Sequence, residues 1–125
     1  FITSIENSNN LCYSLSLDGK MVGYLIAMLT LDSADILNIG IDSDFKRQGY
    51  GTGLLNHLIE ELKKKDIGEI LLEVRAGNKS AIQFYKRQGF EEISVRKNYY
   101  TKNSKNQSHR EDGIIMRIKI LSIKN

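Results

Sequence analysis

The chain has 125 residues and a formal net charge of +3, and 41% of its residues are hydrophobic. These values are typical of one globular domain, residues 1–125, and such a small charge argues against a nucleic-acid-binding surface. The single cysteine, Cys12, excludes an internal disulfide. There is no signal peptide, and no apolar run approaches the ~20 residues that a membrane span needs, so we expect a soluble cytoplasmic protein.

The first half of the chain is predicted to form three strands followed by a helix. Residues 11–17 and 20–31 read as strands joined by the hairpin turn Asp18-Gly19, and a third strand covers about 35–41. From about 50 to 65 the apolar residues recur with the period of an α-helix. The apolar face of this helix is formed by Leu54, Leu55, Leu58, Ile59 and Leu62.

The second half continues with alternating strands and one more helix. Residues 70–74 form a nearly continuous apolar run, as in a central strand covered on both faces. A helix is predicted from Lys79 to Arg87, with Asn78 as its N-terminal cap and Gly89 at its end. Two strands at 90–97 and 113–121, with the polar loop 101–112 between them, complete the chain. The order β-β-β-α-β-α-β-β predicts an α/β (α+β) fold with helices packed on a mixed sheet.

A glycine-rich loop, Lys46-Arg47-Gln48-Gly49-Tyr50-Gly51, lies between the third strand and the first helix. Glycines let backbone N–H groups approach a diphosphate, and the N-terminus of a helix adds about half a positive charge. Lys46 and Arg47 add full positive charges at the rim. The spacing differs from the dinucleotide-binding and Walker fingerprints. Glycine-rich turns precede many helices, so this loop alone predicts only an anion site.

The loop resembles the Q/R-x-x-G-x-G/A coenzyme A motif of the GNAT acetyltransferase superfamily, although Lys46 stands where the motif has Gln or Arg. The resemblance implies a GNAT fold, with a mostly antiparallel sheet, splayed strands and flanking helices, and acetyl-coenzyme A as the co-substrate. It also implies that most of the family's N-terminal helices are missing from this chain. The other segments that carry it are residues 37–42, 72–76, 81–82, 84–85, 89–90, 96, 98–100 and 110–112.

The same resemblance implies which residues contact coenzyme A. In the family, backbone N–H groups of the strand before the loop hold the thioester carbonyl, and the loop and helix start hold the pyrophosphate. The residues implied are Ile39, Gly40, Ile41, Arg47, Gln48, Gly49, Tyr50, Gly51, Thr52 and Asn78. Gly40 is consistent with a bulge or with close approach of a ligand. Asn78 is compatible with both helix capping and a coenzyme A contact.

Two residues are candidates for proton transfer. Amide formation from a thioester needs a neutral amine, and a protein N-terminus is largely charged at neutral pH, so a general base is useful. Glu73 is the one charged residue inside the apolar strand, and burial makes a carboxylate more basic. Pairing with a neighbouring arginine such as Arg75 is the structural alternative. Tyr85 resembles the family's tyrosine that protonates the leaving thiolate; its alternative is a core tyrosine.

The acceptor is suggested by Arg-x-Asn-Tyr-Tyr at residues 96–100, which resembles GNAT enzymes that acetylate the N-terminal alanine of a small-subunit ribosomal protein. The resemblance places Tyr99 and Tyr100 at the peptide-binding wall. The alternatives are a small-amine acetyltransferase and a non-catalytic coenzyme A-binding module. A basic protein substrate would be attracted by four acids, namely Glu91, Glu92, Glu111 and Asp112. Two lysines in the loop 101–109, Lys102 and Lys105, would repel it.

The two histidines lack the surroundings of a catalytic or metal-binding residue. His57 has no acid or nucleophile at a motif spacing and is interpreted as a helix-surface residue, and His109 lies in the polar loop. No group of Cys and His residues has the spacing of metal ligands. We therefore expect neither a metal ion nor direct binding of nucleic acid or membrane.

Overall fold

The computed structural model describes residues 1–101 and 110–120, and for residues 98–101 and 110 it describes the backbone alone. Within these residues the chain forms a mixed, mostly antiparallel seven-stranded sheet with two α-helices, which confirms the predicted fold class. The elements are β1 Ile2–Asn7, β2 Asn10–Leu17, β3 Lys20–Leu29, β4 Ser33–Ile41, α1 Tyr50–Lys64, β5 Glu69–Arg75, α2 Lys79–Arg87, β6 Glu91–Thr101 and β7 Arg110–Lys119.

All eight predicted elements are present, and the structure adds two that the sequence pattern did not reveal. Strand β1 was missed because only Ile2 is even half-buried, so its residues show no alternation of apolar and polar side chains. A 3-10 turn at Ser43–Phe45 was also missed. The predicted loop 101–112 was too long, because β6 extends to Thr101 and β7 begins at Arg110.

Residues 1–70, together with residues 119 and 120, belong to the first of two compact units. Here β1, β2, β3 and β4 lie side by side in chain order, and each neighbouring pair is antiparallel. Asp18 and Gly19 join β2 to β3 with φ of 51° and 79°, the left-handed geometry of a two-residue hairpin turn. Helix α1 packs on β2, β3 and β4 and buries four of its five predicted apolar residues: Leu54, Leu55, Leu58 and Leu62.

Residues 71–118 belong to the second unit, in which β5, β7 and β6 lie side by side in that order. Helix α2 begins as predicted: the Asn78 side chain accepts a hydrogen bond from the Ala81 N–H at 3.3 Å. Gly89 follows the helix with φ of 104°, a conformation that favours glycine, so the predicted C-terminal signal is also confirmed. The assignment of residues 1–125 to one domain stays a prediction.

Candidate active site

Strand β4 contains the irregularity that the sequence suggested near Gly40, but at a different residue. Ile26 of β3 pairs with Asn38 and the next residue, Ala27, pairs with Ile36, which leaves Leu37 as an extra residue in β4. The strand therefore bulges at Leu37, and a bulge changes the directions of the side chains and N–H groups that follow it. Ile39, Gly40 and Ile41, the predicted contacts of the thioester carbonyl, come directly after this bulge.

Gly40 is required by a neighbouring ring within the same unit. A Cβ at this position would lie 2.7 Å from Cε1 of Tyr24, closer than real Cβ atoms approach other atoms. The Tyr24 hydroxyl donates a hydrogen bond to Oδ1 of Asn38 at 3.0 Å, which holds the ring over the glycine. Close packing of Tyr24 therefore explains this glycine without any ligand, and a carbonyl contact at Gly40 stays a prediction.

The glycine-rich loop leads into α1 through a residue that has no side chain to cap the helix. Gly49 is the N-cap residue, with φ of 86°, and it makes no side-chain cap hydrogen bond. The first turn contains no acidic residue, and Lys46 and Arg47 just before it are exposed. Arg47 has φ of 64°, a left-handed conformation that is uncommon for a residue with a side chain. The start of α1 therefore combines the N-terminal N–H groups of a helix with two positive charges.

These features fit a diphosphate group. The first N–H groups of a helix have no intrahelical acceptor, and they carry the positive end of the helix dipole. A Cβ added at Gly49 or at Gly53 would meet nothing within 4 Å, so open space lies beside both glycines. An anion with several oxygens could thus approach the backbone of Tyr50 and Gly51 closely.

Glu73 lies in the middle of β5, between Leu72 and Val74, which are both buried. Its side chain is 22% exposed, and its Oε1 lies 3.4 Å from Nη2 of Arg96. Its Oε2 is buried and has no hydrogen-bond partner among the described residues. A carboxylate oxygen without a partner keeps its capacity to accept a hydrogen bond, so Oε2 is available to a donor brought to it.

Tyr85 lies on α2 and is almost fully buried. Its ring makes edge-to-face contacts with Phe84 and Phe90, at centroid distances of 5.3 and 5.5 Å. Burial raises the pKa of the Tyr85 phenol above its usual value. The hydroxyl therefore carries its proton at neutral pH, as it would at its usual pKa, and the shift makes it a weaker acid than a phenol in water.

Comparison with known proteins identifies the family of the chain. The profile of the Acetyltransferase (GNAT) family matches residues 1–90, well over half of the sequence. The chain belongs to the GNAT family. The predicted class of enzyme, an acetyl-coenzyme A-dependent N-acetyltransferase, is thereby confirmed.

Relatives within the GNAT family resemble the chain over most of its length. It is 42% identical over 117 residues to the [ribosomal protein bS18]-alanine N-acetyltransferase of Escherichia coli K12, covering 94% of this chain and 76% of that protein. The Salmonella typhimurium enzyme of the same name is 43% identical over 106 residues, covering 85% of this chain and 69% of that protein. The crystal structure of the ribosomal-protein-S18-alanine N-acetyltransferase from Escherichia coli superposes with a TM-score of 0.84 at 41% identity, covering 96% of this chain and 74% of that one.

The acids that would favour a basic substrate of this GNAT protein are already engaged with its own groups. Glu91 pairs with Arg117 at 3.7 Å, and Glu92 pairs with Lys86 at 3.9 Å. Asp112 pairs with Nζ of Lys97 at 3.4 Å. Glu111 accepts a hydrogen bond from the Gly77 N–H at 2.6 Å. Attraction of a basic peptide to this surface would therefore compete with existing ion pairs and hydrogen bonds.

The remaining candidates either lie on the protein surface or fall outside the described residues. His57 is exposed on α1, with Nε2 3.4 Å from the Ser4 Oγ and its ring edge-on to Tyr13. Lys102, Lys105 and His109 lie outside the described residues, as do the side chains of Tyr99 and Tyr100. Among the residues that are described, no cluster of three or more His, Cys, Asp or Glu could hold a metal ion, and no helix could cross a membrane.

The pairing of Glu73 with Arg96 is the feature of this GNAT site that the sequence reasoning missed. The expected ion-pair partner of Glu73 was an arginine close in the chain, such as Arg75, whereas Arg96 is 23 positions away on β6. The only sequence signal was that Arg96 belongs to the segment resembling the family. The roles of Glu73, Tyr85, Asn78 and the loop residues stay predictions.

Proposed function

We propose that this protein acetylates the N-terminal α-amino group of a small-subunit ribosomal protein in the cytoplasm, using acetyl-coenzyme A. The proposal is supported by the names of the Escherichia coli and Salmonella typhimurium relatives, which are alanine N-acetyltransferases of ribosomal protein bS18. An identity of 42% over 94% of the chain makes the same acceptor, an N-terminal alanine, the best candidate. The single structural observation that carries the chemistry is the Oε2 of Glu73, which is buried and has no hydrogen-bond partner within the part of the chain that the structure describes.

The bound co-substrate supplies an acetyl thioester. The start of α1 would hold its diphosphate through the backbone N–H groups of Tyr50 and Gly51, with Lys46 and Arg47 adding positive charge. The N–H groups of residues 39–41, just after the bulge in β4, would donate to the thioester carbonyl. Donors fixed in a strand stabilise the negative charge that develops on this oxygen, because they need no reorganisation during the reaction.

Glu73 would act as the general base. The amine nitrogen attacks the thioester carbonyl carbon, so that a C–N bond forms, and the C–S bond breaks as coenzyme A departs. The amine proton moves to Oε2 of Glu73, while Oε1 stays against the Arg96 guanidinium. A base needs little reorientation to accept this proton when one oxygen is held and the other has no partner among residues 1–97 and 111–120.

Tyr85 would act as the general acid. Its phenol is protonated at physiological pH, as a phenol is at its usual pKa, so it has a proton to donate to the departing thiolate. The rings of Phe84 and Phe90 hold it in one orientation and exclude water around it. The role of Asn78 would combine capping of α2 with a contact to coenzyme A.

Turnover measurements test the acid and base roles. Glu73→Gln keeps the shape of the side chain but cannot take a proton, and Tyr85→Phe removes only the hydroxyl. Each variant should lower kcat at least tenfold, because a positioned acid or base contributes about 10²–10⁴-fold. Wild-type kcat in either variant would show that the assignment of that residue is wrong.

Acceptor panels test the substrate. The protein should acetylate a peptide that begins with alanine and carries the N-terminal sequence of the small-subunit protein bS18, and it should leave polyamines and aminoglycosides unmodified. A matched peptide with an N-terminal formyl group is the control, since it has no free α-amino group. Acetylation of small amines alone would contradict the proposal, and binding of acetyl-coenzyme A without any transfer would favour a non-catalytic module.

A further inference from the structure

An ion pair joins two strands of the second unit that are not neighbours. Glu73 is on β5 and Arg96 is on β6, and β7 runs between these two strands. The residue of β7 directly opposite Arg96 is Gly113, which is buried. Neighbouring strands are about 4.8 Å apart, so the backbones of β5 and β6 are separated by about 10 Å. The Arg96 side chain therefore spans a whole strand to reach the carboxylate.

Gly113 has no side chain at the position of β7 opposite Arg96. Residues directly opposite each other in an antiparallel pair point to the same face of the sheet. Any side chain at position 113 would consequently stand on the face where Arg96 crosses β7. Glycine is otherwise unfavourable inside a strand, and it is typically found there when another group approaches the backbone closely. A glycine opposite Arg96 is therefore consistent with passage of the arginine side chain across β7.

The ion pair with Arg96 engages only one of the two carboxylate oxygens of Glu73. Oε1 lies 3.4 Å from Nη2 of Arg96, and Oε2 is buried without a partner among the described residues. A lone glutamate side chain has three rotatable bonds, and ordering them costs free energy at each turnover. Holding one oxygen fixes the plane of the carboxylate, so the other oxygen is presented in a constant direction.

We propose that Arg96 is a positioning residue for Glu73, and that the lack of a side chain at Gly113 lets it cross β7. The proposal rests on the proposed role of Glu73 as the general base. Arg96 would not touch the reacting atoms. It would raise kcat by keeping Oε2 aligned with the amine, and it would leave the binding of acetyl-coenzyme A unchanged.

A double-mutant cycle on the full-length chain tests this role. Arg96→Met keeps the length of the side chain and removes its charge. It should lower kcat about 10- to 100-fold, because misplacing a catalytic group by about 1 Å has this effect, while the KM for acetyl-coenzyme A stays within about twofold. Placing the same change in the Glu73→Gln variant should cause no further loss, since there is no base left to position. Arg96→Lys should recover part of the lost kcat.

The matched control is Lys97→Met, which removes the next cation of β6. Lys97 pairs with Asp112 and is highly exposed, so this variant should keep wild-type kcat. Gly113→Ala supplies an independent approach that keeps both charges: its added methyl group stands in the path of Arg96 and should lower kcat in the same way. Thermal unfolding of each variant identifies any loss that arises from unfolding.

The outcomes separate the two proposals. Wild-type kcat in Arg96→Met and Gly113→Ala, or losses that multiply in the Arg96→Met, Glu73→Gln double variant, would overturn the positioning role and leave Glu73 as the base. Wild-type kcat in Glu73→Gln alone would remove the base, and the positioning role would fall with it.

Discussion

Replacing Gly49 with aspartate is the sharpest test of the diphosphate cradle. Gly49 is the exposed N-cap of α1 with φ of 86°, and a Cβ there would meet nothing within 4 Å. Steric exclusion is therefore negligible, and the backbone strain is about the same for Asp and Asn, the residues that best tolerate left-handed φ. Gly49→Asn is thus a matched control that has the same shape but no charge.

The electrostatic effect can be estimated from the position of the new carboxylate. Two unit charges about 4 Å apart interact by about 1 kcal/mol in water and about 4 kcal/mol at the dielectric of a protein surface. Since Gly49 is exposed, the lower part of this range applies, about 1–2 kcal/mol. Gly49→Asp should therefore weaken acetyl-coenzyme A binding about 5- to 30-fold relative to Gly49→Asn.

Isothermal titration of acetyl-coenzyme A into the two variants and the wild-type protein measures this difference. Added salt should reduce the gap between Asp and Asn, because the opposing charges are exposed to solvent. Equal affinity of Gly49→Asp and the wild type would refute the cradle. Equal weakening by Asn and Asp would also refute the reasoning, since the effect would then arise from backbone conformation.

Three further predictions concern stability. Tyr13→Phe should raise the free energy of unfolding by about 1–2 kcal/mol in urea titrations, because the Tyr13 hydroxyl is buried without a partner among the described residues. Burial also raises the pKa of Tyr13, so the free energy of unfolding of the wild type should stay constant below about pH 10 and fall above it. This fall should be smaller in Tyr13→Phe. The same alkaline profile in both proteins would show that Tyr13 is not its cause. Gly40→Ala should destabilise the protein by about 1–3 kcal/mol, and adding Tyr24→Ala should cost less than the sum of both single changes; strict additivity would show that the ring is not the obstacle. Gly53→Ala should stabilise α1 by about 0.5–1 kcal/mol in thermal unfolding, since the new methyl group has open space and a helical backbone, and a lower Tm would count against this argument.

The periodic elements could be predicted because their signals are local. Helix α1 was placed from the spacing of its leucines, and four of the five predicted apolar residues are buried. The bounds of α2 agree with the prediction because Asn78 and Gly89 mark both ends of the helix chemically. Strand β1 offers no such signal, since it pairs at the edge of the sheet and leaves almost all of its side chains in solvent. Pairing of its backbone with β2 is what makes it a strand.

The sequence by itself indicated the family and the class of enzyme, because short motifs carry these in residue types and spacing, whereas the role of the glycine-rich loop stays a prediction. Only the tertiary structure decided why particular residues are needed. Gly40 accommodates the ring of Tyr24, and Gly113 lies opposite the arginine that reaches Glu73. Both relations join residues that are distant in the chain. Sheet register brings them together, and register is set by the pairing of whole strands, which the pattern of a single segment does not encode.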